Sequence, residues 1–361
     1  MKYKTFNKLV LFSILLPFVS IILLNFIIDP YYVFDSFQLK GVNVVKNNSI
    51  SQEMTKFHTA KRANPTVLLI GTSRTEYINP IYLHKYFPNE KIYNLSIPAS
   101  GVLSQKNNIK YFIENKQIKA IVYGLDFFAF SPINNNFETK DKRYMNDFTK
   151  DYMDSLLSLR TLRKSFLTLK DNIKSVHTER DYSNGWINNR NKYLEISKKG
   201  DKYITKNIEK TLDKYSSTKM FYDYEPFLKS NSINASLAEL KNIIELCHKN
   251  NIKLYMFISP INTKLTDLIY KIGLKETYHY WKKELSQYEN IYDFSGYNSI
   301  TSNVSNYFDA SHYQTEIAPL MFAQIFKDSS VVIPNDFGIL LTPKTIDNIL
   351  QKEHSIMATN L

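Results

Sequence analysis

Cysteine occurs once in the 361 residues, at Cys247, and this excludes an intramolecular disulfide and any multi-cysteine zinc site. The surrounding run LAELKNIIELCHKN has helical periodicity, so Cys247 reads as a small buried hydrophobe. Glycine is scarce at 9 residues, and hydrophobic residues make 43% of the chain, which excludes collagen-like, linker-like and wholly disordered classes. No H-E-x-x-H, no G-x-G-x-x-G and no lysine-bearing phosphate loop occurs, so neither a zinc-protease site nor a nucleotide cofactor is expected. His58, His84, His177, His248, His279 and His354 are isolated from one another and read as structural or solvent-facing. No metal and no cofactor are expected. No repeat of 20–50 residues is visible.

Acidic residues are outnumbered, and the net charge is +12, carried mostly by dispersed lysines. Such a surface is either simply soluble or suited to anionic partners, namely phospholipid headgroups, anionic wall polymers or nucleic acid. No nucleic-acid-binding motif accompanies the charge, and no nucleic-acid partner is expected.

One long hydrophobic run does occur. After the basic tip MKYKTFNK at 1–8, residues 9–28, LVLFSILLPFVSIILLNFII, carry no charge. That is about the 20 residues an α-helix needs to cross a bilayer. The run exceeds the usual apolar core of a signal peptide, and no small-x-small cleavage pattern follows. Asp29-Pro30 and the pair Tyr31-Tyr32 mark its far interface. Lysines before the span and acid after it predict a single-pass anchor in the cytoplasmic (inner) membrane, N-terminus inside and body outside.

Residues 29–63 read as a stalk containing a helix, SQEMTKFHTAKR. After Pro65 the period alternates. TVLLIG, KIYNLSI, IKAIVYGLDFFAF, IKLYMFISP and IYDFSG read as strands. NPIYLHKYF, SQKNNIKYFIENKQ, NASLAELKNIIELCHKN, LTDLIYKIGLKETYHYWKKELSQ and TEIAPLMFAQIF read as helices, the first capped by Asn79 with Pro80 at its first position. Strands separated by helices imply an α/β fold, a parallel sheet with helices on both faces. The alternation defines a domain at 64–330, broken at 131–230 by an insertion that caps the sheet edge or the site. Residues 331–361 are left as a C-terminal tail.

In such sheets, ligands meet the carboxyl ends of strands. Gly71-Thr72-Ser73-Arg74, the SIPASG turn, Asp126 and the late turn YFDASHY should gather there. Ser73 and Glu76 have capping-box spacing, so Ser73 reads either as a helix cap or as a nucleophile at the end of an apolar strand. Asp309 and His312 stand three apart. They read either as a capped surface turn or as a carboxylate that fixes an imidazole tautomer and leaves the other nitrogen to take a serine proton.

Ser after the first strand and D-x-x-H before the last helix of the domain resemble the SGNH (GDSL-like) hydrolase superfamily, over 64–330 without the insertion. GTSR, YNLSIPASG and GLDFFAF look most like membrane-anchored bacterial members. The resemblance implies a flavodoxin-like sheet, Ser73 as nucleophile, and Asp309 and His312 as its charge-relay partners. It also implies action on O-acyl groups of an envelope glycan or anionic wall polymer, beside a membrane-bound O-acyltransferase as partner. Two positions depart from the superfamily pattern. The turn that usually supplies a glycine amide to the oxyanion reads Pro98-Ala99-Ser100-Gly101, leaving Ala99 or Gly101 as donors. Asp126 stands where an Asn donor is usual, and a carboxylate would repel an oxyanion. Asp126 is therefore protonated, paired with a cation such as Arg74, or the mark of a catalytically weak scaffold that holds a polymer or a partner enzyme. Pairing with Arg74 is the favoured reading.

Overall fold

The computed structural model describes residues 3–46, 52–132, 148–174, 182–186, 195–196, 198–217 and 230–360. In chain order, α1 (Tyr3–Ile28) and α2 (Gln52–Ala63) precede β1 (Val67–Ile70), the single turn α3 (Ser73–Glu76) and a 3-10 turn Pro80–Leu83. Then follow β2 (Ile92–Asn94), α4 (Val102–Asn115) and β3 (Ala120–Leu125). The middle of the chain supplies α5 (Phe148–Leu157), α6 (Leu159–Ile173) and α7 (Asp201–Ser217). Next come α8 (Asn234–Lys249), β4 (Lys253–Ile258), α9 (Thr263–Lys271), α10 (Lys275–Leu285) and β5 (Ile291–Asp293). The chain closes with α11 (Ala318–Ile325), β6 (Ile339–Leu340) and α12 (Ile346–Asn360).

The chain divides into two compact units, Met1–Arg62 with Asn146–Arg180, and Ala63–Met145 with Asp181–Leu361. In the first unit, α1 is long and apolar enough to be a membrane span or a signal sequence, and 11% of its apolar window is buried. It packs on α5 and α6 near its C-terminal end, where Asn25 donates to Leu156 O at 2.8 Å and accepts from Ser165 Oγ at 2.9 Å. Beyond it the Asp29 carboxylate collects the amides of Val33 (2.8 Å) and Phe34 (3.1 Å), folding the chain back on itself. Tyr31 is buried, and Lys46 and Arg62 lie over the half-buried ring of Tyr32. His58 on α2 is buried and bonded to Asp151 of α5 at 3.0 Å. The residues read as a stalk thus form one unit with part of the 131–230 stretch, which is shared between the two units.

The second unit holds an α/β sheet of six strands in the order β2-β1-β3-β4-β5-β6, parallel except for the antiparallel edge β6. Strands β1 and β3 are buried at every position, as continuous β-branched and apolar runs covered on both faces must be. On one face Val67, Leu69, Val122 and Phe257 pack with Tyr313, Met321 and Phe322. On the other, Tyr123 reaches Gln105 of α4 through a 2.6 Å hydrogen bond, and α4 packs against α8 with Cys247 buried. The long helical run after β4 is two helices, because Gly273 takes a left-handed φ of 86° between α9 and α10. Residues 331–361, set apart in the sequence as a tail, continue this unit through β6 and α12. Of residues 186–196, Trp186, Glu195 and Ile196 lie among the described residues.

Candidate active site

Four chain segments meet beyond the carboxyl ends of β1, β2 and β3. The order of the sheet reverses between β1 and β3, so the connections leave on opposite faces and open a crevice there. Ser73 heads α3, but it is not the helix cap. Thr72 is extended (φ −95°, ψ −160°) and occupies the capping position, its hydroxyl accepting from Arg74 N. With the cap supplied by its neighbour, the Ser73 hydroxyl is bonded at 2.9 Å to His312 Nε2. His312 Nδ1 lies 2.9 Å and 3.0 Å from the two Asp309 oxygens. A carboxylate only accepts, so Nδ1 carries the proton and the Nε2 lone pair is left for the Ser73 hydroxyl. The hydroxyl–imidazole–carboxylate arrangement spans residues 239 apart in sequence.

The Asp309–His312 turn is closed at its base by a Tyr307–Tyr313 bridge and by Phe308 N donating to His312 O at 2.9 Å. Asp309 Oδ1 also accepts the amides of Ser311 (2.7 Å) and His312 (2.9 Å). Burial pushes the Asp309 carboxyl up, but the His312 charge and these hydrogen bonds outweigh it and hold the group below the ordinary carboxylate range. Tyr77 stands edge-on to the His312 ring at 5.2 Å between centroids, and Trp186 Nε1 donates to Tyr77 O at 3.3 Å. The described part of the 131–230 stretch therefore reaches the site: Asn184 O also accepts from Asn94 N at 2.7 Å.

Arg74 joins the strand end to this turn. Its NH1 donates to Asp126 Oδ1 at 2.8 Å, its Nε to Ser311 O at 3.1 Å and its NH2 to Ser311 Oγ at 2.9 Å. The other Asp126 oxygen accepts from the Thr72 hydroxyl. Asp126 is thus engaged through both oxygens by residues that flank Ser73. Arg74 and Asp126 are 6% and 2% exposed, so the pair is desolvated and depends on its hydrogen bonds. Burial opposes the charge on Arg74, and Asp126 beside it more than offsets this, raising its pKa.

The SIPASG turn lies against the residue that precedes this segment. Ile97 N donates to Gly71 O at 3.1 Å, and Ser100 Oγ donates to the same oxygen at 3.3 Å. Ala99 adopts a left-handed φ of 55°, and Gly101 caps α4. Ser100 differs from its neighbours here. Its amide is given to Ile97 O at 3.2 Å and its hydroxyl is held by Gln105 Nε2 at 2.9 Å, so it braces the turn rather than presenting a donor.

Three supporting residues were given no role in the sequence: Thr72, Ser311 and Asn94. Asn94 Nδ2 lies within 2.9 Å of Thr75 O and Ile78 O and 3.2 Å of Glu76 O, tying down the C-terminal end of α3. A serine or threonine beside a suspected nucleophile, and an asparagine ending a strand, were the only signals available. Among the described residues no three His, Cys, Asp or Glu side chains group as metal ligands would. No protein-family model matches the chain, and no curated protein matches it.

Proposed function

We propose that the protein is a serine esterase or acyltransferase of the SGNH (GDSL-like) type, tethered by α1 to the cytoplasmic membrane with its body outside. Its substrates on this reading are O-acyl groups, chiefly acetyl, of an envelope glycan or anionic wall polymer. The observation that carries the reading is the Asp309–His312–Ser73 relay, with 2.9 Å at both junctions. The strand order 2-1-3-4-5, shared with flavodoxin-like folds, and a site at the switch point support it.

In the reaction, Ser73 Oγ attacks the acyl carbonyl carbon as its proton passes to His312 Nε2, and Asp309 stabilises the imidazolium. The carbonyl oxygen becomes an oxyanion, facing the Ser73 amide and the amides of Ala99 and Gly101. The tetrahedral intermediate collapses, the C–O bond to the glycan breaks, and His312 returns the proton to the leaving alcohol. Water or an acceptor hydroxyl then attacks the acyl-serine, losing its proton to His312, and Ser73 is regenerated.

The competing reading, a catalytically weak scaffold for a polymer or a membrane-bound O-acyltransferase, draws its motive from Asp126. Engagement of both its oxygens by Arg74 and Thr72 supports the enzyme instead, because the carboxylate is directed to a cation and a hydroxyl. The interlocking of Asn25 with α5 and α6 supports a retained anchor over a removed leader, since removal would strip the unit of its buried partner. The test is turnover by the detergent-solubilised full chain on an aryl acetate and on an O-acetylated glycan. Loss of both activities in Ser73→Ala and in His312→Ala is expected. Activity that survives both substitutions, or none in wild type on either substrate, contradicts the proposal.

A further inference from the structure

Helix α6 is built inside out. Its buried residues are Thr161, Lys164, Ser165, Thr168 and Asn172, all polar. Leu159, Phe166 and Ile173 are 74%, 56% and 68% exposed, and their seven-residue spacing places them on one stripe. A helix facing water does the reverse and turns its apolar stripe to the core. Here the polar side is fastened inward by specific bonds. Ser165 Oγ donates to Asn25 of α1, and Asn172 receives Val45 N at 2.8 Å and donates to Val45 O at 2.7 Å. These bonds fix the rotation of the whole helix, so the outward stripe is a property of the backbone and not of mobile side chains.

Two features identify what covers the stripe. Asn25 lies three residues before the end of α1, whose apolar surface is largely exposed, so α6 is fastened at one end of a long exposed apolar helix. The stripe is also flanked by exposed Arg160, Arg163, Lys170 and Lys174, which suit anionic headgroups. On the same unit, Asn43 ties the loop bearing the exposed Phe37 to Ile27 O at 2.7 Å, at the same end of α1.

We infer that α6, together with the Phe37 loop, lies in the headgroup–acyl boundary of an anionic phospholipid bilayer around the C-terminal end of α1. The apolar stripe enters the acyl region and Arg163 and Lys170 reach the phosphates. The first unit is then seated on the membrane at two elements. This rests on α1 as a membrane span and is independent of the hydrolase chemistry.

The test uses the full chain in a Cys247→Ala background, with a single fluorescent label at Leu16→Cys, Phe166→Cys or Lys210→Cys. Each is reconstituted into vesicles of roughly three parts phosphatidylcholine to one part phosphatidylglycerol, and circular dichroism checks the fold. Phosphatidylcholine spin-labelled near the headgroup is expected to quench residue 166 strongly, while aqueous iodide leaves it nearly unchanged. Residue 16 should be quenched by a lipid spin label deeper in the chain, and residue 210 by iodide alone. Iodide quenching at 166 equal to that at 210 overturns the inference. Protection of 166 from both quenchers also overturns it and assigns the stripe to a protein. If residue 16 escapes the deep spin label, the span itself is wrong; if 16 is quenched and 166 is not, only the seating of α6 fails.

Discussion

Arg74 bridges the two ends of the candidate site, bonding Asp126 and tethering Ser311 of the histidine turn; on the proposed chemistry it keeps the Asp126 carboxylate from the acyl carbonyl. Arg74→Ala strands a buried carboxylate and is expected to cost about 3–5 kcal/mol, seen as a fall in melting temperature on the order of 10 °C. The double variant Arg74→Met/Asp126→Leu removes both charges and should recover most of that stability without recovering turnover, because the Ser311 tether is still missing. Full recovery of turnover in the double variant would reduce Arg74 to a charge partner. Asp309→Asn keeps the shape of the turn but not the tautomer of His312, and is expected to lower the rate by about 10⁴-fold with little change in folding. Loss of less than tenfold would remove Asp309 from the relay. The grouping of Ser73, Arg74 and Asp126 was legible because each is a chemical type just after a strand, and that of Asp309 with His312 because the two stand three apart on one turn. Thr72 was not, since in GTSR either hydroxyl residue satisfies a cap. Ser311 was not, because its partner lies 237 residues away.

At the scale of elements, the close seating of α3 on the sheet positions Ser73. Gly71 and Gly124 sit side by side beneath Thr75, and a Cβ on either would overlap the Thr75 hydroxyl. Gly124→Ala is therefore expected to lift α3, cutting turnover about tenfold or more through displacement of Ser73, and to cost roughly 1–3 kcal/mol of stability. Restoration by the second change Thr75→Ala, which removes the hydroxyl, would confirm that overlap is the cause; an unaltered Gly124→Ala variant would refute it. The alternation of strands and helices was legible from periodicity alone. The break at Gly273 was hidden inside a continuous amphipathic run, and the shortening of the third strand at Leu125 was hidden by the aromatic residues Phe127–Phe130, which form a 3-10 turn instead. The pairing of β6 with β5 was not legible, because two exposed residues carry no strand pattern.

Across the second unit, the C-terminal helix closes a buried charge network. Lys282 is fully buried between Asp293 Oδ2 (2.9 Å) and Glu353 Oε1 (2.6 Å), the latter contributed by α12. Nearby, Tyr270 OH meets His279 Nε2 at 2.7 Å. Burial first, then the charges of Lys275 and Lys282, push His279 down to about 4. An unfolded histidine titrates near 6.5, so between these values the unfolded chain holds a proton that the folded chain lacks. Stability should therefore fall as pH drops from about 6.5 to about 4, and His279→Gln should flatten that part of a melting-temperature profile. An unchanged slope would show that other groups control it. The most direct measurement on the molecule as a whole is intact-mass and peptide mapping of the detergent-solubilised full chain after treatment with an alkoxy-fluorophosphonate. One adduct on Ser73 in wild type, absent from His312→Ala, is the predicted result. An unmodified Ser73, or equal modification with and without His312, would contradict a relay that activates the hydroxyl.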